Sequence, residues 1–144
     1  MIEAHDEAEL KASIELFYFG YRAFTSRPDH ILERRGLGRV HHRILYFVGR
    51  RPGTTVNALL ATLSVSKQAL NAPLRQLVEM KLVATAASTH DRRAKELTLT
   101  AEGRRLESQL TATQMKHLQD AFAGAGREAA EGWRAVMRRI ADTR

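Results

Sequence analysis

At 144 residues, with a net charge of +7 and no cysteine, the chain has room for one domain with a real core, and disulfides, thiolate metal sites and thiol redox switches are excluded. Its 23 Lys and Arg against 16 Asp and Glu, with Arg outweighing Lys, favour an anionic partner and forked contacts to phosphate or guanine. The polar, acidic start MIEAHDEAEL is unlike a signal or transit peptide, and the longest clean apolar run, Ile44 to Val48, is far too short to cross a bilayer, which predicts a cytoplasmic protein with no membrane partner.

Leu10, Ile14, Phe17, Tyr21 and Phe24 recur at helical spacing, and Leu16, Tyr18 and Phe19 widen the seam. A helix so broadly apolar needs more than one packing partner, and in a chain this short the second is expected to be another subunit. Arg27-Pro28 is expected to end it, because proline disfavours helical geometry in the residue before it. The spacing then predicts a second helix from about Gly38 to Gly49, with Val40, Ile44, Leu45, Phe47 and Val48 inward and Arg50 and Arg51 at its negative end. Pro52-Gly53 makes a turn, and Thr54 or Thr55 caps a short third helix carrying Val56, Leu59, Leu60 and Leu63 on one face.

The stretch LSVSKQALNAPLRQLVEMKLV is the most informative. Ser66 is placed as an N-cap, with Val65 before it positioned to staple onto Leu70. Leu70, Leu74, Leu77 and Val78 face the core, while Lys67, Gln68, Asn71 and Arg75 fall on the outer side. A short helix, a tight turn and a capped second helix with polar tips make a helix-turn-helix. Pro73 lies inside that second helix and is expected to kink it or open the bond to the Ala69 carbonyl without ending it.

Val83 to Ser88 and Lys95 to Thr100 read as two strands joined by a basic tip, THDRRA. Thr100 caps a long helix starting at Ala101, with Leu106, Leu110, Leu118, Ala121 and Phe122 on its buried side. GAGRE, at 124–128, breaks it. A last helix puts Ala129, Trp133, Val136, Met137 and Ile140 on one face and Arg134, Arg138 and Arg139 opposite.

In that order, DRRAKELTLTAEG resembles the Asp-x-Arg wing of the MarR family of bacterial transcription regulators, followed by its Leu-Thr-x-x-Gly start of the long helix. The resemblance covers essentially the whole chain. It implies a mainly α fold with a small two- or three-stranded β-wing, in which a winged helix-turn-helix over 37–100 joins a helical dimerisation region formed by 1–36 and 101–144 as one intertwined domain. It also implies a homodimer on a palindromic operator in double-stranded DNA, acting as a repressor relieved by a small aromatic or anionic effector. The helix from Lys67 would enter the major groove and Arg93 the neighbouring minor groove, with Asp91 as the acidic partner that orients the wing.

The chemistry of the side chains agrees. Gln68 and Asn71 can offer paired donor and acceptor groups to adenine, and Arg75 can pair with guanine or phosphate. Ser66 and Lys67, at the helix start, sit near phosphate and base edges together, and Arg92, Arg93 and Lys95 form a cationic wing tip. Asp91 is expected to pair with Arg93 or another arginine and hold the loop in shape. Tyr21 and His42 are candidates for an effector pocket, where His42 would offer a hydrogen bond or charge. Arg34, Arg35, Arg39, Arg43, Arg50 and Arg51 read mostly as a solvated face.

No metal or other cofactor is expected: His41 and His42 point about 100° apart on a helix, and no carboxylate lies at i+3 or i+4 of either. With no cysteine nucleophile and no glycine-rich phosphate loop, an enzyme is not expected either. A winged-helix protein-interaction module and a nonspecific architectural DNA binder are the alternatives to a regulator. The first calls for an acidic or apolar recognition face in place of the polar and basic one.

Overall fold

The computed structural model describes residues 5–91 and 93–143, which fold as six helices and a small sheet. In chain order these are α1 (Glu7–Glu33), α2 (Arg39–Arg50), β1 (Thr54–Thr55), α3 (Val56–Leu63), α4 (Lys67–Glu79), β2 (Val83–Ala87), β3 (Lys95–Leu99), α5 (Ala101–Ala125) and α6 (Arg127–Ala141). Four starts are set by side-chain oxygens that accept otherwise unpaired N–H groups: Asp6 from Glu9, Thr55 from Ala58, Ser66 from Ala69 and Thr100 from Gly103, all at 2.7–3.1 Å.

The strands form an antiparallel sheet in the order β1-β3-β2. β2 and β3 are the expected hairpin, with Val83 opposite Leu99 and Ala87 opposite Lys95. β1 adds a third strand, in which Thr54 faces Leu97 and Thr55 faces Glu96. Two residues are too few for periodicity to reveal, so Thr54-Thr55 was legible only as a cap.

Pro28 does not end α1, which runs one and a half turns further to Glu33. Interior proline costs about 3 kcal/mol through its missing N–H and ring clash. Here Pro28 is fully buried, and only a continuing helix brings Ile31 and Leu32 into the core beyond it, which offsets that cost. The true end is a glycine turn: Gly36 has φ +71°, Gly36 N–H donates to the Glu33 carbonyl and Leu37 N–H to the Leu32 carbonyl.

Helix α4 also continues across its proline, from Lys67 to Glu79. Pro73 has no N–H for the Ala69 carbonyl, but Ala69 is exposed and water can take that place. Two turns in the winged unit use a left-handed residue other than glycine: Ser64, at φ 53° between α3 and α4, and Lys81, at φ 60° after α4.

The junction after β3 explains the Leu-Thr-x-x-Gly run. Thr100 donates from its hydroxyl to the Lys81 carbonyl at 2.7 Å and from its N–H to the Leu82 carbonyl at 3.1 Å. The first turn of α5 thereby lies directly on the chain leaving α4. A Cβ on Gly103 would stand 1.9 Å from the Leu82 carbonyl oxygen, a distance no side chain can occupy.

The core is made by Leu32, Ile44, Leu45, Val48, Leu59, Leu70, Leu77, Leu82, Val83, Leu97, Leu106 and Leu110, with Val65 and Leu74 packed at its margin. Leu118 and Phe122 on α5 are half-buried and Ala121 is exposed, so the expected apolar stripe of α5 is deeply buried only at its start. On α6, Ala130 is the buried residue, while Trp133, Val136 and Ile140 face outward.

Candidate nucleic-acid interface and interhelical cavity

The αL turn at Ser64 and the cap at Ser66 aim α4 so that Leu70 and Leu77 are buried in the core. The opposite side is left free. Lys67, Gln68, Asn71 and Arg75 are all exposed, and at about 100° per residue they fall within roughly one quarter to one third of the helix circumference. None of the four spends its polar group on an ion pair or side-chain hydrogen bond among the described residues. A row of free amide and cationic groups on one capped helix is what base-edge and phosphate contacts require.

The wing tip is shaped by its own short side chains. Ser88 Oγ accepts from the N–H groups of His90 and Asp91 at 3.1 and 3.4 Å, and Ser88 N–H donates to the Ala94 carbonyl at 3.0 Å. Asp91 Oδ1 accepts from the backbone N–H of Arg93 at 2.9 Å. Asp91 thus contacts Arg93 through the backbone N–H, bending the main chain, and among the described residues it makes no ion pair; a pairing with Arg92 lies outside the described residues. An Asx turn is local and survives in water, whereas an exposed ion pair at a loop tip contributes little. Arg93 and Lys95 are exposed, and Arg92 lies outside the described residues.

Tyr21 and His42 do come together, in a cavity of about 350 Å³ between α1, α2 and α5. Its wall is mostly apolar, with Phe24, Pro28, Phe47, Met115 and Leu118 among its lining residues. Three charged residues also line it: Asp29, to which the sequence gives no role, and Arg39 and Arg43, expected on a solvated face. Arg39 Nε donates to Asp29 Oδ2 at 3.0 Å and its guanidinium lies 5.5 Å from the Tyr21 ring centre, while Arg43 donates to the Tyr21 hydroxyl at 2.7 Å. The i, i+4 spacing of Arg39 and Arg43 around His42 was a visible signal, but nothing local tells an arginine at a cavity rim from one in water.

His42 is the unusual member of this wall. It is 8 % exposed, and its Nε2 is buried with no hydrogen-bond partner among the described residues. Burial pushes its pKa below the usual imidazole value, although Glu107 and Asp29 pull the other way. A buried imidazole nitrogen without a partner favours the uncharged ring and sets His42 apart from the other residues of the wall.

The MarR family profile matches residues 35–94, the span from the end of α1 to the wing. The HTH-type transcriptional regulator PetP of Rhodobacter capsulatus is 39% identical over 136 residues, which cover 94% of this chain and 82% of PetP. The chain belongs to the MarR family. The MarR-family regulator SP03579 has the same fold, with a TM-score of 0.80 at 19% identity over 93% of this chain and 89% of that one. A point variant of S. aureus MepR bound to an oligodeoxyribonucleotide superimposes with a TM-score of 0.61 at 21% identity, over 89% of this chain and 94% of that one. MarR proteins and PetP are transcription regulators and not enzymes, and this chain is a helix-turn-helix transcription regulator of that family.

Proposed function

We propose that this MarR-family chain is a homodimeric repressor that binds a palindromic operator in double-stranded DNA and is released when a small aromatic or anionic molecule fills the cavity. The observation that carries the DNA reading is the exposed row Lys67, Gln68, Asn71 and Arg75 on a helix capped by Ser66, beside a basic wing. In this reading α4 lies in the major groove, with Gln68 and Asn71 on adenine edges and Arg75 on guanine or phosphate. Lys67 and Ser66 meet the backbone at the helix start, and Arg92, Arg93 and Lys95 approach the neighbouring minor groove, with Asp91 holding the tip in shape.

Residues 1–36 and 101–144 serve as the dimerisation region around the winged unit 37–100. The apolar faces of α1 and α6, left exposed in one subunit, support this assignment. Release follows from the cavity wall. Arg39 and Arg43 are already engaged by Asp29 and the Tyr21 hydroxyl, so an entering carboxylate or phenolate competes for both guanidinium groups, beside Tyr21 and His42 in the cavity wall. Those exchanges move α1 and α2 relative to each other, and a ligand that prefers the moved state shifts the population away from the DNA-binding one.

Selection of operator sequences from random duplexes, at two salt concentrations, tests the reading. A palindrome with half-sites about one helical turn apart supports it. Salt-sensitive retention without a motif would replace it with architectural binding. No retention at either salt would favour the protein-interaction module.

A further inference from the structure

Adjacent histidines on α2 face different neighbours. His42 lines the cavity, whereas His41 points to α4, where its Nε2 meets Gln76 Oε1 at 2.9 Å. His41 Nδ1 lies 2.9 Å from the Gly38 backbone nitrogen. That N–H can only donate, so Nδ1 must be the bare nitrogen, and the neutral ring then carries its proton on Nε2 and donates it to Gln76. The amide orientation of Gln76 follows: its Nε2 faces the Gly36 carbonyl at 3.4 Å.

These three bonds form a closed loop. It starts and ends in the glycine turn that joins α1 to α2, and passes through the first turn of α2 and the back of α4. Gln76 is half-buried and sits about 100° round the helix from Arg75, away from the row of exposed polar side chains. Among the described residues, the other side-chain contacts that seat α4 on its neighbours are apolar and non-directional, through Leu70, Leu74, Leu77 and Val78. Apolar packing holds a helix in place but resists small rotation and sliding less than a directed hydrogen bond does.

The geometry points to His41 and Gln76 as a positioning pair that sets the rotation of the recognition helix against α2 and the turn that joins it to α1, and so the discrimination between operator and unrelated DNA. This rests on the proposed DNA role of α4. Neither residue touches DNA in that role. Loss of the pair therefore lowers the preference for operator and leaves the charge-driven affinity for any duplex in place.

The test measures binding of the full-length protein to its selected operator and to an unrelated duplex of equal length, at one salt concentration. His41→Leu removes both bonds of the ring, and Gln76→Leu removes the α4 end while keeping the cap on Gly38. Each is expected to lower the operator-to-unrelated affinity ratio about tenfold, and the double variant no further than either alone, because both cut one link. His41→Gln is the rescuing variant: glutamine at this position accepts from the cap N–H and its amide can donate to Gln76, so the ratio returns to within about twofold of the wild type. An unchanged ratio in both leucine variants overturns the proposal. Equal losses on both duplexes, or additive losses in the double variant, overturn it too, since either indicates general weakening. A wild-type protein with no sequence preference would overturn the DNA reading itself, and this inference with it, before any variant is made.

Discussion

The winged unit and the stem helices treat their apolar residues in opposite ways. Among the described residues, Pro28 and Ala130 aside, every buried apolar side chain lies between Leu32 and Leu110. The large exposed ones fall outside that span, on α1 from Leu10 to Tyr21 and on α5 and α6 from Met115 to Ile140. Ile14 is 67 % exposed, Leu16 72 % and Trp133 45 %, values that belong to a surface waiting for a partner. One region is closed by its own core, and the other leaves apolar faces that the proposed dimer would cover. What is buried in the first is set by a single chain; in the proposed dimer, what is buried in the second depends on protein concentration.

The sharpest way to break this contrast is Gly103→Ala. With the Leu82 carbonyl where the new methyl must go, the α4–β2 junction and the start of α5 cannot both keep their places, and a loss of about 4 kcal/mol or more is expected. Denaturant unfolding should show that loss at every protein concentration. Aspartate at Ile14, or arginine at Trp133, acts on the other region: a charge in an apolar interface should weaken dimerisation by about a hundredfold, read by sedimentation. If both variants sediment like the wild type, α1 and α6 do not form the interface.

Arg93→Ala lies in the winged unit but away from its core, since the wing tip makes few core contacts. Operator affinity should fall about tenfold, with the melting temperature unchanged. Unchanged affinity would remove Arg93 from the interface. Within the closed unit, Lys81→Gly should stabilise by up to about 1 kcal/mol, because Lys81 holds φ 60° and glycine adopts that conformation without strain. A destabilised variant would mean that the lysine side chain contributes more than its backbone costs.

His42, on the boundary between the two regions, predicts the gentlest effect, a pH slope. Its folded pKa is depressed by burial, so the unfolded chain takes up the proton first as pH falls. The contribution is complete above about pH 6.5, the ordinary imidazole value, and is lost as pH falls from there through the lower folded value. His42→Gln should flatten that part of the stability profile, and an unaltered slope would show that the buried imidazole is not its source.

The parts legible in the chain alone are those whose causes lie within a few residues. Thr55, Ser66 and Thr100 cap helices because the N–H they accept from is three positions on. The period of Leu97 and Leu99 marks β3, and the outward position of Lys67, Gln68, Asn71 and Arg75 follows from the inward position of Leu70 and Leu77. Asp91 was legible as a loop-shaping residue, but its bond to the Arg93 backbone N–H was not, since a carboxylate beside two arginines has both guanidinium groups and backbone N–H groups within reach. Pro28 shows the limit more plainly. Its local preference is to end a helix, and only the burial of Pro28, Ile31 and Leu32 against other elements decides otherwise.

Sequence by itself thus determined the starts of α3, α4 and α5, the hairpin and the exposed face of α4, because each rests on short-range geometry and the period of apolar residues, whereas the need for glycine at 103 comes from the Leu82 carbonyl that the fold brings against it. Tertiary structure alone decided the pairing of β1 with β3, the cavity that unites Tyr21, His42, Arg39 and Arg43, and the bond between His41 and Gln76 across 35 positions. Those features depend on where separate elements settle once their apolar faces are buried together, and no spacing within one element records that.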